Sequence, residues 1–190
     1  MRRNLWIALC LFTSICMLLT SCSTSQSSSH NQSIKVLVVE TFLADIAQNI
    51  AGDRLKVDTL LPIGIDPHAY QPTPQDVTRI AESQLLIING AGFEQWLSKT
   101  LDNAGGQRLV VEAAAGLSSR VPGPGEVINP DTAGDPHFWL NPVHVIRYAE
   151  NIRDGLTAAD PAGKTIYTQN AEKYIQQLTE LDQWIETQIS

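Results

Sequence analysis

The apolar and polar positions from residue 34 onward alternate between short β-branched runs and stretches of helical period. Four apolar runs predict strands at residues 34–40, 55–61, 85–89 and 108–112. Helices are predicted between them at residues 41–49, 73–83 and 93–103. Strands separated by helix-length segments predict right-handed βαβ units and a parallel sheet. The nearly all-apolar strands indicate an α/β fold in which helices cover both faces of that sheet.

Helix starts are marked by cap residues followed by proline. Thr73-Pro74 and Asn141-Pro142 have this form, Asp160-Pro161 repeats it, and Thr41 is a further candidate cap. A long glycine- and proline-rich loop is predicted over residues 115–135. The last predicted helix runs from Pro161 towards Ile189, with one apolar stripe formed by Ala162, Ile166, Tyr174, Leu178, Leu181, Ile185 and Ile189. At about 40 Å it is too long for one small sheet to cover, so we expect it to lead into a further part of a larger protein.

The first 33 residues have the order of an export signal followed by a tether. A short basic start precedes a 15-residue apolar run at positions 5–19, which is short for a membrane span. Leu19-Thr20-Ser21-Cys22 resembles a bacterial lipobox, in which the cysteine is acylated and becomes the first mature residue. Residues 23–33 contain no apolar side chain and are typical of a flexible linker. We therefore expect anchoring in a lipid bilayer through acylated Cys22; a cleaved signal with an incidental cysteine is the alternative.

The charge and cysteine content exclude several functions. The chain has 20 acidic and 13 basic side chains, a formal charge of −7, which argues against nucleic acid as a partner. All three cysteines lie within the first 22 residues. A thiolate metal cage and an intramolecular disulfide are therefore excluded from the mature chain.

Two of the four histidines lie in matching contexts. His68 ends Gly64-Ile65-Asp66-Pro67-His68, and His137 ends Gly134-Asp135-Pro136-His137. Each follows a predicted parallel strand and precedes a capped helix, at the edge of the sheet where α/β proteins bind ligands. Two converging imidazoles make half of a tetrahedral metal site. The spacing alone leaves turn-stabilising histidines as the alternative, and His144 is expected to pack or lie on the surface.

Four stretches give the chain a family resemblance: VVETFLADIAQNIAGDRLKVDTLLPIGIDPHAYQPTPQDV, INGAGFEQWL, DPHFWLNP and the tyrosine- and leucine-patterned last helix. In this order they resemble the N-terminal part of the cluster A-I solute-binding lipoproteins, the ZnuA/TroA-like and adhesin-B-like group. The resemblance implies that His68 and His137 are metal ligands, that Zn²⁺ or Mn²⁺ is the transported cargo, and that the partner is the membrane permease of an ABC importer. No organic cofactor and no enzymatic activity are implied.

The resemblance also implies a domain organisation. We expect a signal peptide at residues 1–21, a lipidated tether at 22–33, an N-terminal metal-binding α/β lobe at 34–159 and a long inter-lobe helix at 160–190. In the family a second lobe supplies the remaining ligands, and the chain is expected to lack that lobe. Asn141 stands where the family often has aspartate, and the histidine-rich loop of many zinc-binding members is absent. Location in the periplasm or at the cell surface is expected.

Two other functions remain open from the sequence. A membrane-tethered adhesion or interaction module of the adhesin B type is one, because some members of the group carry that label. A metallohydrolase using Asp66 or Asp135 as base is the other, although no His-Glu-x-x-His or Gly-x-Ser-x-Gly motif is present. Four aromatic residues are expected to pack rather than to bind ligands: Tyr70, Trp96, Trp139 and Trp184.

Overall fold

The computed structural model describes residues 34–119, 123, 125 and 134–190. Its four strands are β1 (Val36–Val38), β2 (Val57–Thr59), β3 (Leu85–Ile88) and β4 (Leu109–Glu112). They pair in parallel in the order β2-β1-β3-β4. The predicted parallel α/β fold is confirmed, with each strand shorter than its apolar run. The predicted signal peptide, the tether and Cys22 lie outside the described residues.

Helices cover both faces of this sheet. They are α1 (Thr41–Ala51), α2 (Pro74–Glu82), α3 (Leu97–Ala104), α4 (Pro142–Ala159) and α5 (Lys164–Ile189). Side chains alternate along a strand, so β1 sends Val36 and Val38 into a core with α1, α4 and α5. Leu37 and Val39 face the opposite side, in a smaller core with α2 and α3. None of the described helices is long and apolar enough to span a bilayer.

The starts of the first four helices confirm two predictions and correct two others. Thr73 and Asp76 form a capping box, with the Asp76 N–H donating to Thr73 Oγ1 (3.3 Å) and the Thr73 N–H to Asp76 Oδ2 (2.8 Å). Asn141 caps α4 by accepting the Val143 N–H at 2.9 Å. Thr41 is not a cap, because α1 begins at Thr41 itself and Glu40 holds the cap position. The third helix begins at Leu97 rather than at residue 93, because a turn occupies the segment before it.

The last helical segment starts at Pro161 with Asp160 in the cap position, as predicted, but its first turn is a short 3₁₀ turn, Pro161–Gly163, that precedes α5. The Asp160 carboxylate makes no capping hydrogen bond. It instead accepts two hydrogen bonds from Arg54, at 2.5 and 2.9 Å, and one from the Tyr167 hydroxyl at 2.5 Å. This bridge fixes the junction of α4 and α5 to the turn that follows α1.

The buried stripe of α5 also differs from the prediction. Tyr167, Ala171 and Leu178 are the buried residues of this helix. Ile166 and Ile189 are 40% and 80% exposed, and Ala162 is exposed. Tyr167, the neighbour of Ile166, is buried in its place and donates its hydroxyl to Asp160.

Candidate metal centre

The predicted site lies at the carboxyl edge of the sheet. Strands β1 and β3 are central, β2 pairs outside β1, and β4 pairs outside β3. The chain therefore reverses its direction of winding between β1 and β3, the position at which open α/β sheets form a binding crevice. The loop after β2 carries His68 and the segment after β4 carries His137, so one histidine reaches the crevice from each side of the sheet.

The two histidine rings meet in this crevice. Their centroids are 5.6 Å apart, with the ring planes at 55°. Phe93 lies against both, with centroid distances of 4.8 Å to His68 and 5.6 Å to His137 in edge contacts. Because Phe93 is only 3% exposed, it forms an apolar floor beneath two solvent-accessible imidazoles.

The two Asp-Pro-His turns are built in the same way. In each, the aspartate Oδ1 accepts the backbone N–H of the histidine, at 2.9 Å for Asp66 and His68 and at 3.0 Å for Asp135 and His137. Proline between them fixes the backbone of the turn. Asp135 Oδ1 also lies 2.7 Å from His137 Nδ1. A proton on Nδ1 satisfies this contact and leaves the Nε2 lone pair for a cation.

The remaining aromatic predictions have different outcomes. Trp139 packs on His137 at 5.1 Å and on Phe42 at 4.3 Å between centroids, which confirms its packing role. Trp184 is 60% exposed, so the prediction that it packs is wrong. His144 packs its ring edge-on against Phe138 at 5.5 Å, outside the pair of imidazoles, as expected.

Trp96 and Tyr70 pack together beside the His68 loop. Their ring centroids are 5.3 Å apart, in an edge contact. Trp96 also donates its indole N–H to the carbonyl oxygen of Pro67, at 3.0 Å. Tyr70 donates its hydroxyl to Asp76 at 2.6 Å. Both rings therefore pack as predicted, and their polar atoms fix the loop on either side of His68.

Two buried acids lie at the carboxyl ends of the central strands. Glu40 follows β1 and Glu94 lies in the turn after β3, and they are 3% and 7% exposed. Burial, followed by repulsion from Glu94, raises the pKa of Glu40 to about 10. Burial also raises the pKa of Glu94, but its oxygens accept the N–H groups of Asn89 (2.5 Å) and Gly90 (3.0 Å), which favour its ionised form. Glu40 therefore holds the proton of the pair at neutral pH.

The sequence interpretation missed the residues that support the two rings. These residues follow the carboxyl ends of β1 and β3: Glu40, Asn89, Phe93 and Glu94. The Asn89-Gly90 pair directly after a buried strand is the one signal that could have identified this edge. In the part of the chain that the structure describes, no group of three or more His, Cys, Asp or Glu side chains could hold a metal ion. The two imidazoles are therefore the candidate metal donors among the described residues.

Comparison with known proteins places this architecture in a family. The profile of the family described as "Zinc-uptake complex component A periplasmic" (ZnuA) matches residues 36–190. The manganese-binding lipoprotein MntA of Halalkalibacterium halodurans is 35% identical over 164 residues, which are 86% of this chain and 52% of MntA. The manganese ABC transporter substrate-binding lipoprotein PsaA of Streptococcus pneumoniae is 37% identical over 185 residues, 92% of this chain and 58% of PsaA.

A solved structure agrees with these relatives. The crystal structure of Zn(II)-bound AdcA from Streptococcus pneumoniae superposes with a TM-score of 0.69 at 27% identity, covering 79% of this chain and 31% of AdcA. The chain spans between about half and three-fifths of the length of the curated relatives that it matches. The fold is that of one lobe of a TroA-like solute-binding protein, with a long helix after it. The chain belongs to the ZnuA family.

Proposed function

We propose that His68 and His137 bind a divalent metal ion, Zn²⁺ or Mn²⁺, as the cargo of an ABC importer. The observation that carries the proposal is the 5.6 Å separation of their ring centroids. A tetrahedral ion with metal–nitrogen distances of about 2.0–2.1 Å holds two imidazole centroids about 5 Å apart. The crevice thus needs only a small adjustment to hold an ion. The names of MntA and PsaA, and the zinc in AdcA, support the same choice of cargo.

The two imidazoles define what else the ion requires. Zinc is four-coordinate in most protein sites, so at least two positions remain for water or for side chains outside the described residues. Manganese is harder and favours oxygen ligands, so it depends more strongly on those further donors. The two described histidines alone should therefore hold zinc more tightly than manganese.

We further propose the arrangement of this site in the cell. Residues 1–21 are a signal peptide, residues 22–33 a tether acylated at Cys22, and residues 34–159 a metal-binding lobe. Residues 160–190 lead to a second lobe, which supplies further ligands. The whole protein is a non-enzymatic carrier outside the cytoplasm that delivers its ion to a membrane permease. The coverage of little more than half of MntA supports the second lobe. A reading frame after codon 190 that encodes no such lobe would contradict it.

The metal proposal is tested by titration of the chain purified from membranes in detergent. Competition with a fluorescent chelator measures zinc affinity, and electron paramagnetic resonance measures free Mn²⁺. We expect His68→Ala and His137→Ala each to weaken zinc binding by more than tenfold. His144→Ala is the matched control, because its ring packs on Phe138 away from the crevice. Unchanged zinc and manganese binding in both site variants would refute the proposal.

A further inference from the structure

The turn between β3 and α3 contacts both histidine loops. It begins at Asn89, which is fully buried, and ends at Trp96, the residue before α3. Phe93, in the middle of this turn, lies against both imidazole rings. One short segment of a central strand connection thus touches two loops that come from opposite edges of the sheet.

Each end of this turn donates a hydrogen bond to a prolyl carbonyl oxygen, one in each histidine loop. Trp96 Nε1 donates a hydrogen bond to the carbonyl oxygen of Pro67 at 3.0 Å. Asn89 Nδ2 donates to the carbonyl oxygen of Pro136 at 3.1 Å. Each proline directly precedes the histidine of its loop, so each bond fixes the peptide group to which that histidine is attached.

The Asn89 amide is itself held in one orientation. The Tyr148 hydroxyl, on α4, donates to Asn89 Oδ1, which forces the amide nitrogen towards Pro136. The Asn89 backbone N–H donates to Glu94 Oε1 at 2.5 Å, and Glu94 Oε2 accepts the Gly90 N–H at 3.0 Å. The donor that reaches Pro136 is therefore fixed by a buried network and cannot rotate freely.

We propose that the Asn89–Trp96 turn positions the two metal-binding histidines, with Asn89 and Trp96 each holding one prolyl carbonyl and Phe93 setting the gap between the rings. This inference rests on the proposed function of His68 and His137. The local bonds from Asp66 and Asp135 shape each loop, but they connect residues two apart and leave the position of the loop on the sheet open. The bonds from the turn span 29 and 47 residues and set that position.

The first test removes each donor separately and measures zinc affinity. Trp96→Phe keeps an aromatic ring but loses the N–H, and Asn89→Ser is too short to reach Pro136. We expect each to weaken zinc binding about 10- to 100-fold, the effect typical of residues that orient metal ligands. Trp184→Phe is the control for Trp96, since Trp184 is 60% exposed. Ser83→Ala is the control for Asn89, because Ser83 is a buried hydrogen-bonding residue at the other end of β3.

The second test reads the ring positions in metal-free protein by nuclear Overhauser effects to Phe93. Trp96→Phe should weaken the effect between Phe93 and His68 while keeping that with His137, and Asn89→Ser should do the reverse. Tyr148→Phe removes the hydroxyl that holds the Asn89 amide, so it should weaken the same Overhauser effect as Asn89→Ser, by a smaller amount. It replaces Asn89→Ser in this test if that variant does not fold. A purely structural role would lower the melting temperature and leave this crossed pattern absent.

The outcomes separate this inference from the metal proposal. If His68→Ala and His137→Ala abolish zinc binding but Trp96→Phe, Tyr148→Phe and Asn89→Ser leave it unchanged, the positioning role is wrong and the metal site stands. If the unaltered chain binds no metal, the proposed function is wrong. The Overhauser pattern in metal-free protein then still decides whether the turn positions the rings: crossed losses support it, and unchanged effects overturn it.

Discussion

Glu40 is an acid in a position that favours its neutral form. It is 3% exposed at the end of β1, beside the second buried acid, Glu94. Its pKa is raised from 4.5 to about 10, by burial first and by the charge of Glu94 second. The folded protein therefore binds a proton that the unfolded chain releases above about pH 4.5. Stability is then greatest below that pH and falls as the pH rises towards 10.

We predict that Glu40→Gln stabilises the protein at alkaline pH. Glutamine has nearly the shape of the protonated acid and carries no charge to bury. The free energy of unfolding at pH 8 should rise by about 1–3 kcal/mol, and the gain should vanish near pH 4.5. Urea denaturation at several pH values measures it. The exposed Glu172→Gln is the control; a gain that does not change with pH would contradict the prediction.

Asp135 is a second residue whose effect can be isolated. Its carboxylate oxygen lies 2.7 Å from His137 Nδ1, whereas the Asp66 carboxylate accepts the backbone N–H of His68. We predict that Asp135→Asn weakens zinc binding about tenfold or more, because the amide cannot favour the Nδ1–H tautomer by its charge. Asp66→Asn is the matched control, with a smaller effect. Equal losses in the two variants, measured by chelator competition, would contradict this asymmetry.

At the scale of elements, caps were predictable and long-range side-chain bonds were not. Thr73 and Asn141 cap their helices as the sequence indicates, because a cap depends on residues only two or three positions away. Asp160 has the same cap-plus-proline form, yet its carboxylate binds Arg54, 106 residues earlier. The first turn of the predicted third helix fails for a local reason instead, since Glu94 accepts the backbone N–H groups of Asn89 and Gly90, five and four residues earlier.

The Arg54–Asp160 bridge gives a prediction at this scale. The guanidinium of Arg54 and the Tyr167 hydroxyl lower the pKa of Asp160 against the opposing effect of burial. Its stabilisation is therefore present above about pH 4 and lost as the pH falls through the folded pKa. Asp160→Asn should lower the free energy of unfolding at pH 7 by about 1.5–3 kcal/mol, less at pH 3. Asp154→Asn, in an exposed pair with Arg153 on the same helix, should cost under about 1 kcal/mol.

At the scale of the whole molecule, the sequence predicted the layers and the meeting of the two histidines. Both follow from the rule that carboxyl ends of parallel strands share one edge. The supporting residues of that edge could not be predicted, because Asn89 and Phe93 contact loops 25 or more residues away in sequence. The hydrophobic pattern also did not predict how far the buried core extends. Strand β4 is an apolar run that lies at the edge of the sheet, with Leu109 and Val110 more than one-third exposed.

Helix α5 shows how far the core reaches. It has 26 residues, about 39 Å, and its buried positions end at Leu178. The apolar stripe continues past this point, but Leu181 and Trp184 are 43% and 60% exposed. An open apolar groove lies between this part of α5, α1 and the start of α4. Periodicity therefore identified Leu178 but missed the buried Tyr167 and Ala171, and the area of the helix that is covered depends on what packs against it.

We predict that this boundary is visible in stability. Leu178 is 9% exposed within the main core, so Leu178→Ala should lower the free energy of unfolding by about 2–4 kcal/mol. Trp184→Ala removes a larger side chain from the same helix and should cost under about 1 kcal/mol, because little of it leaves water on folding. Urea denaturation measures both, and hydrogen exchange should show strong protection up to Leu178 and weaker protection beyond it. A cost at Trp184 equal to that at Leu178 would mean that the end of α5 is covered in solution and that the core extends beyond Leu178.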